Sequence, residues 1–303
     1  MRKRNLKFIP TIFLFSFLIA FPSFAQPHIT VGIQDSIQQE ILGQIVGTYL
    51  EEKGFKVKYK MSLSNSSLYS ALTKKEVDLA WQDPASVWFL KFLRTDILSS
   101  KKLYKEVKEL EENKGLLWFK IANLENQYVP VMQRKKSEKL EITTISELAD
   151  CVRKDEKKIR VVMSSEFFFR PDCYFDLKQI YGFSFYRPNV RLISSTIGFG
   201  LLSGDQVDVV FAFSTDPPIE KLNLIKLKDD KKALKSYCMG IVIREEIMDR
   251  FSDLSSLVEK LIRISPATSE IARLNLKVYN GVSSKEVARE YLREKGLIDI
   301  KRE

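Results

Sequence analysis

Hydrophobic and polar positions alternate with two different periods along the first part of the chain. Short apolar or alternating runs predict strands at Ile29–Ile33, Phe55–Met61 and Val77–Trp81. Between them, apolar residues recur at helical spacing and predict helices over Gln38–Lys53 and Leu68–Lys75. This βαβαβ order predicts a mostly parallel sheet that is covered by helices.

The middle of the chain repeats this arrangement. Strands are predicted at Tyr128–Arg134, Ile159–Met163, Val190–Ile193 and Asp208–Phe213. Helices are predicted between them at Thr144–Lys154, Tyr174–Ile180 and Ile197–Ser203. The last third contains two predicted strands and three amphipathic helices, at Leu224–Lys228, Met239–Arg244, Met248–Ile264, Thr268–Val278 and Ser284–Lys295. We therefore predict an α/β protein of two lobes with a cleft between them.

The first 25 residues have the order of features that is typical of a secretory signal peptide. Four basic residues precede the apolar run Phe8–Phe21, and Ser23-Phe24-Ala25 then offers a cleavage site. The apolar run is shorter than the about 20 residues that span a bilayer. No cysteine directly follows Ala25, so the sequence gives no indication of a lipid anchor. We expect a soluble mature protein that is exported from the cytoplasm.

Charge and composition exclude several classes of function. The formal net charge is +10, and since four of the cations lie in the first 25 residues, the rest carries about +6. Charges of both signs alternate in Lys101–Lys114, which is typical of a solvated helix face rather than a nucleic-acid surface. The three cysteines and the single histidine have neither zinc-site nor redox spacing. We expect no cofactor, no metal and no nucleic-acid partner.

Four motifs, in order, make the chain similar to a known family. They are Ile29–Gly32 with Gln39–Gly43, then Glu166–Asp172, Phe213–Asp216 and Leu274–Leu297. In these segments the chain resembles the glycine betaine/choline/carnitine-type substrate-binding proteins of ABC importers. The resemblance implies a two-lobed type II periplasmic-binding-protein fold with hinge crossovers near Tyr128 and Thr215. It also implies three segments, namely a signal peptide over 1–25, lobe one over 26–126 plus 216–303, and lobe two over 127–215.

The resemblance further implies a ligand held among aromatic rings, because ring faces attract a quaternary ammonium that cannot donate hydrogen bonds. Carried over by position, the ring residues are Trp81, Tyr128, Phe213 and Tyr237. Core packing is the alternative for each ring. Arg170 is the candidate for holding a ligand carboxylate, and its alternative is a structural ion pair with Glu166 or Asp172. Asp216 is expected to be a hinge or cap residue.

Departures from the family pattern affect the expected ligand. Asp83 stands where relatives usually have a tyrosine, Gln34 stands where some have a lysine, and Phe213 lacks a tyrosine hydroxyl. We include Gln34 and Asp83 among the ligand-binding residues. The Asp83 carboxylate suits a cation that donates hydrogen bonds, so a primary or secondary amine becomes an alternative to glycine betaine. A disulfide between Cys173 and Cys238, which flank proposed site residues, is a further alternative to free thiols.

Three functions are consistent with these residues. The first is a monomeric binding protein that delivers a small cationic or zwitterionic solute to an ABC permease in the inner membrane. The second is a sensory or partner-binding periplasmic protein on the same fold. The third is an enzyme that uses Asp83, Glu166 or Asp172 as acid or base, although the sequence lacks the usual catalytic sets.

Overall fold

The computed structural model describes residues 28–119 and 124–299. The predicted signal peptide lies outside the described residues. Within the part of the chain that is described, every helix is too short or too polar to cross a bilayer.

Strands and helices alternate through most of the described chain. The strands are β1 (His28–Gln34), β2 (Lys56–Leu63), β3 (Leu79–Gln82), β4 (Leu116–Trp118), β5 (Glu125–Met132), β6 (Val161–Met163), β7 (Val190–Leu192), β8 (Val209–Phe213), β9 (Ile225–Lys226), β10 (Ser236–Cys238) and β11 (Gly240–Arg244). The helices are α1 (Ile37–Glu52), α2 (Asn65–Thr73), α3 (Pro84–Leu90), α4 (Ser100–Glu112), α5 (Arg134–Leu140), α6 (Ile145–Lys154), α7 (Ser165–Phe169), α8 (Asp176–Tyr181), α9 (Ser195–Ser203), α10 (Pro218–Lys221), α11 (Glu245–Arg250), α12 (Leu254–Arg263), α13 (Thr268–Tyr279) and α14 (Ser284–Glu294). A kinked segment, Pro171–Phe175, links α7 to α8, and Cys173 within it has non-helical backbone angles (φ −113°, ψ −111°).

The first sheet forms the centre of lobe one. Its strand order is β2-β1-β3-β11-β4. β1 runs parallel to β2 and β3, whereas β11 runs antiparallel to β3 and β4. Helix α1 is largely buried against this sheet and against α13 and α14. Gly43 permits its close approach, since a Cβ at this position would lie 2.5 Å from side-chain atoms of Ile33.

The second sheet forms the centre of lobe two. Its strand order is β10-β5-β8-β6-β7, and β9 pairs with β5. β6 runs parallel to β7 and β8, whereas β5 runs antiparallel to β8, β9 and β10. Phe167 and Phe211 stack at the centre of its core with ring centroids 4.5 Å apart. Two sheets with helical covers confirm the predicted α/β class.

The chain leaves the second sheet later than the predicted boundary at Asp216. Ile219 and Leu224 pack with Val162 in one core cluster of lobe two, and Leu234 packs with Phe211 in the other. Strands β9 and β10 extend the same sheet. Local sequence pattern missed this because β9 and β10 pair with β5, which lies about 100 residues earlier. Residues 217–235 therefore pack with the second sheet, β10 pairs with β5 at the edge of that sheet, and the first sheet resumes at β11.

Two further expectations differ from the structure. The single helix predicted over Met248–Ile264 is two helices, α11 and α12, because Phe251 leaves the helical path and packs edge-on against Phe55 at 5.5 Å. Cys151, Cys173 and Cys238 are all free thiols, so the alternative of a Cys173–Cys238 disulfide is not realised.

Candidate functional site

A cavity of about 300 Å³ lies between the two sheets. Strands of both lobes lead into helices whose N-cap residues line it. These residues are Ser36 of α1, Ser64 of α2, Asp83 of α3, Ser164 of α7 and Ser194 of α9. The carboxyl ends of parallel strands in open α/β sheets are the usual place for a ligand. The topology therefore brings the residues that follow β1, β2, β3, β6 and β7 to one place.

Aromatic rings cover part of the cavity wall. Tyr128 and Phe213 are stacked with centroids 4.4 Å apart, and Phe167 packs edge-on against Tyr128 at 4.8 Å. Phe199 and Tyr279 add rings from α9 and α13. Burial raises the pKa of Tyr128 well above its usual value, so this phenol is neutral at physiological pH. The wall thus contains aromatic rings, a type of side chain that attracts organic cations.

Acidic side chains form the polar part of the wall. Asp83 accepts a hydrogen bond from the N–H of Ala85 at 2.9 Å, and its Oδ2 lies 3.1 Å from the hydroxyl oxygen of Ser86. Glu166 accepts from the hydroxyl of Ser86 at 2.7 Å and from the side-chain amide of Asn65. Burial raises the pKa of Asp83, against the opposing effect of the nearby Arg170 guanidinium.

Asp216 is a third acidic group in the cavity wall. Its Oδ2 accepts hydrogen bonds from the N–H of Phe213 at 3.1 Å and from the hydroxyl of Ser195 at 3.2 Å. Burial raises the pKa of Asp216 to about 6, because these two neutral donors only partly replace water around the carboxylate. Its side chain caps neither neighbouring helix, since the N-cap residues of α9 and α10 are Ser194 and Pro217, and it lines the cavity.

Four of the seven predicted ligand-binding residues line the cavity, namely Gln34, Asp83, Tyr128 and Phe213. Gln34 donates hydrogen bonds to Asn65 at 2.6 Å and to Gln82 at 3.0 Å, so its amide belongs to the polar network of the wall.

Trp81 and Tyr237 lie outside the cavity lining. Trp81 is 2% exposed in the core of lobe one, because β3 is buried along its whole length and turns this ring towards the layer of α1. Tyr237 is likewise 2% exposed and packs in the cluster that contains Leu103 and Trp118. Core packing, the alternative considered for each ring, is what the structure has at both positions.

Arg170 also lies behind the cavity wall rather than in it. Its guanidinium contacts both oxygens of Asp172, with Nε at 3.0 Å and Nη2 at 2.7 Å. Its Nη1 donates to Glu166 at 2.8 Å and to Asp83 at 3.2 Å. Arg170 is 3% exposed. The structural ion pair, stated as the alternative to a carboxylate clamp, is therefore the observed arrangement.

Sequence reasoning missed several residues that line the cavity. Asn65 and Ser195 are the first residues of α2 and α9, and Ser86 lies in the first turn of α3. The signal that could have found them is the strand that ends just before each helix, because such positions gather at one edge of a parallel sheet.

Comparisons with known proteins agree with this geometry. Residues 27–294 match the family described as the substrate binding domain of ABC-type glycine betaine transport system. A glycine-betaine-binding protein of Pseudomonas aeruginosa is 26% identical over 275 residues, which cover 89% of this chain and 88% of that protein. An ergothioneine transport permease/ergothioneine binding protein of Helicobacter pylori is 25% identical over 89% of this chain and 48% of its own length.

A solved structure gives the same fold. The crystal structure of a glycine betaine/carnitine/choline ABC transporter protein aligns with a TM-score of 0.70 at 23% identity, over 89% of this chain and all of that one. Fold and cavity together define a two-lobed solute-binding protein. The chain belongs to the family of substrate-binding domains of ABC-type glycine betaine transport systems, which confirms the resemblance seen in its sequence.

Proposed function

We propose that this protein captures a small cationic or zwitterionic solute between its two lobes and delivers it to an ABC permease. The observation that carries the proposal is the composition of the cavity wall. Ring faces of Tyr128 and Phe213 lie in the same 300 Å³ space as the carboxylates of Asp83, Glu166 and Asp216. A ring face contributes about 0.5–2 kcal/mol towards holding an organic cation, and the larger values apply where water is excluded.

Closure of the lobes completes the site. Asn65 and Ser86 of lobe one donate hydrogen bonds to Glu166 of lobe two, and Arg170 reaches across to Asp83. A ligand that contacts both walls is bound best when the lobes are together, so it favours the closed conformation. We propose Gln34, Asp83, Tyr128 and Phe213 as ligand contacts, and we add Glu166 and Asp216 to them.

Substrate-binding proteins of ABC importers work outside the cytoplasm. For this chain we infer export through the signal peptide at residues 1–25 to the periplasm, as a monomer, with a permease partner in the inner membrane. We further infer that the ligand leaves the protein chemically unchanged. The family match favours this function over the sensory protein and over the enzyme using Asp83 or Glu166.

Calorimetry on the purified mature protein tests the proposal. We expect saturable binding of at least one solute among glycine betaine, carnitine, choline and small primary amines. Phe213→Ala removes one ring of the stacked pair and is expected to weaken binding about tenfold. Phe169→Ala is the matched control, since Phe169 is 67% exposed and lies outside the cavity lining.

Two outcomes would contradict the proposal. One is the absence of binding for the whole panel together with no small molecule retained in native mass spectrometry. The other is conversion of a bound solute into a product during incubation, which would support the enzyme alternative.

A further inference from the structure

The cavity is lined by carboxylates and by no basic side chain. Asp83, Glu166 and Asp216 lie in its walls, and the exposed Asp35 lies at its rim beside the N-terminus of α1. None of the described residues that line the cavity is a lysine, an arginine or a histidine. Among the described residues, a bound solute therefore meets negative charge on several sides and no positively charged side chain of the lining.

Arg170 is not available to hold a ligand carboxylate. Its Nε and Nη2 groups donate hydrogen bonds to the carboxylate of Asp172, which is 2% exposed. Its Nη1 group donates to Glu166 and Asp83. One guanidinium among three carboxylates leaves an excess of negative charge beside the cavity. Turning Arg170 towards a ligand would leave Asp172 buried without its partner, which is costly in the protein interior.

Helix N-termini are the other groups that hold anions in such a site. The protein's own carboxylates already face three of those that reach the cavity. Asp83 is the N-cap of α3 and accepts from a backbone N–H of its first turn. Asp216 accepts from the side-chain hydroxyl of Ser195, the first residue of α9, and Glu166 accepts from the side-chain amide of Asn65, the first residue of α2, so each places a negative charge beside the start of a helix.

We infer that the solute bound in this cavity carries a net positive charge and has no carboxylate. The inference rests on the proposed function, and it narrows the ligand from cationic or zwitterionic to cationic. The rings of Tyr128 and Phe213 receive the ammonium group, and Glu166 and Asp216 balance its charge. A zwitterion would place its carboxylate among these acidic groups without a partner, and unpaired like charges at an interface weaken binding strongly.

Choline and glycine betaine provide the closest test, because both carry a trimethylammonium group and only the second carries a carboxylate. We expect calorimetry near pH 7 to show that choline binds at least about tenfold more tightly than glycine betaine. Asp216→Asn and Glu166→Gln each remove one negative charge and are expected to reduce this ratio about fivefold or more. Asp249→Asn, at an exposed position on α11, is the matched control and should leave the ratio unchanged.

The outcomes separate this inference from the proposed function. Equal or tighter binding of glycine betaine overturns the inference and leaves the proposed function standing. An unchanged ratio in both the Asp216 and Glu166 variants, while the wild type prefers choline, overturns the assignment to these carboxylates. If neither solute binds, carnitine and primary amines do not bind either, and native mass spectrometry finds no retained small molecule, both the inference and the proposed function are wrong.

Discussion

Asp216 follows Ser214 and Thr215 after the end of β8 at Phe213, and its carboxylate is directed back towards the end of that strand. The N–H of Phe213 and the hydroxyl of Ser195 are its hydrogen-bond donors. Because neither donor carries a charge, burial dominates and raises the pKa from 3.8 to about 6. Asp216 therefore changes its charge within the mildly acidic range, whereas an exposed aspartate would already be ionised there.

Asp216→Asn tests this residue in the ligand-free protein. The pKa of Asp216 is higher in the folded protein than in the unfolded chain. Its contribution to the free energy of unfolding is therefore fully present below about pH 4 and is lost as pH rises through about 6. Asparagine cannot ionise, so we expect the variant to be more stable than wild type above pH 7, by at most about 3 kcal/mol. Near pH 4 the two should be about equally stable.

Urea unfolding at both pH values measures the difference in the free energy of unfolding. Asp249→Asn serves again as the exposed control and should show the same stability as wild type at each pH. A stability difference for Asp216→Asn that stays constant from acidic to neutral pH would contradict the raised pKa.

Helix α1 shows how packing between elements depends on single small residues. Its N-cap, Ser36, accepts a hydrogen bond from the N–H of Gln39 and fixes the start of the helix beside the cavity. Most of its residues are buried, so the helix lies between the first sheet and α13 and α14. Glycines at 43 and 47 face Ile33 and Tyr59, and both are near enough that a Cβ would clash.

Gly43→Ala is therefore expected to destabilise the protein by about 1–3 kcal/mol, because α1 must move away from β1 to accept the new methyl group. Gly200→Ala in α9 is the matched control. A Cβ at position 200 meets nothing within 4 Å, so alanine should stabilise the helix by up to about 1 kcal/mol. Thermal and urea unfolding of both variants measure the change. Equal effects of the two substitutions would show that α1 packs less closely than described.

The sequence alone predicted those strands and helices in which a short stretch of residues already shows an apolar run or an apolar repeat. β1 and α1 appear as an apolar run and a long helical repeat, and both are present close to the predicted bounds. β4 and β10 contain three residues each and depend on distant partners, so their own sequence carries little signal, whereas β9 lies within the strand predicted at Leu224–Lys228. The orientation of Trp81 was equally unpredictable, because all four residues of β3 are buried and the usual alternation of faces is lost.

Part of the candidate site was predictable from the sequence, because some of its residues belong to the family motifs and lie at the ends of predicted strands. Asp83, Tyr128 and Phe213 were assigned through the resemblance, and the cavity includes all three. Arg170 was predicted in the correct neighbourhood, but its role depends on the distance to Asp172, which no sequence pattern supplies. The contact between Asn65 and Glu166 joins residues 101 positions apart and requires the lobes to be assembled.

At the scale of the whole molecule, two separate cores are joined across the cavity by a small polar network. Asn65 and Ser86 donate to Glu166, and Arg170 donates to Asp83. Hydrogen bonds to a charged partner each contribute about 1.5–3 kcal/mol. The network therefore favours the closed arrangement even before a solute binds, and it lowers the free energy that the solute must supply for closure.

The double variant Asn65→Ala/Ser86→Ala removes the two neutral donors while the pair of Glu166 and Arg170 within lobe two stays intact. We expect the ratio of closed to open molecules to fall by at least about tenfold, since each 1.4 kcal/mol corresponds to a factor of ten. Small-angle X-ray scattering of the ligand-free variant should then give a larger radius of gyration than that of wild type.

Ser67→Ala is the control for this measurement, because Ser67 lies on the same helix as Asn65, is exposed, and bonds only to Ser64 among the hydrogen bonds found for it. Its radius of gyration should equal that of wild type. Addition of a solute that binds should return the double variant to the wild-type radius, because ligand contacts to both walls replace the lost donors in favouring closure. An unchanged radius in the ligand-free double variant would mean that the Arg170–Asp83 ion pair or the crossing segments, rather than Asn65 and Ser86, hold the lobes together.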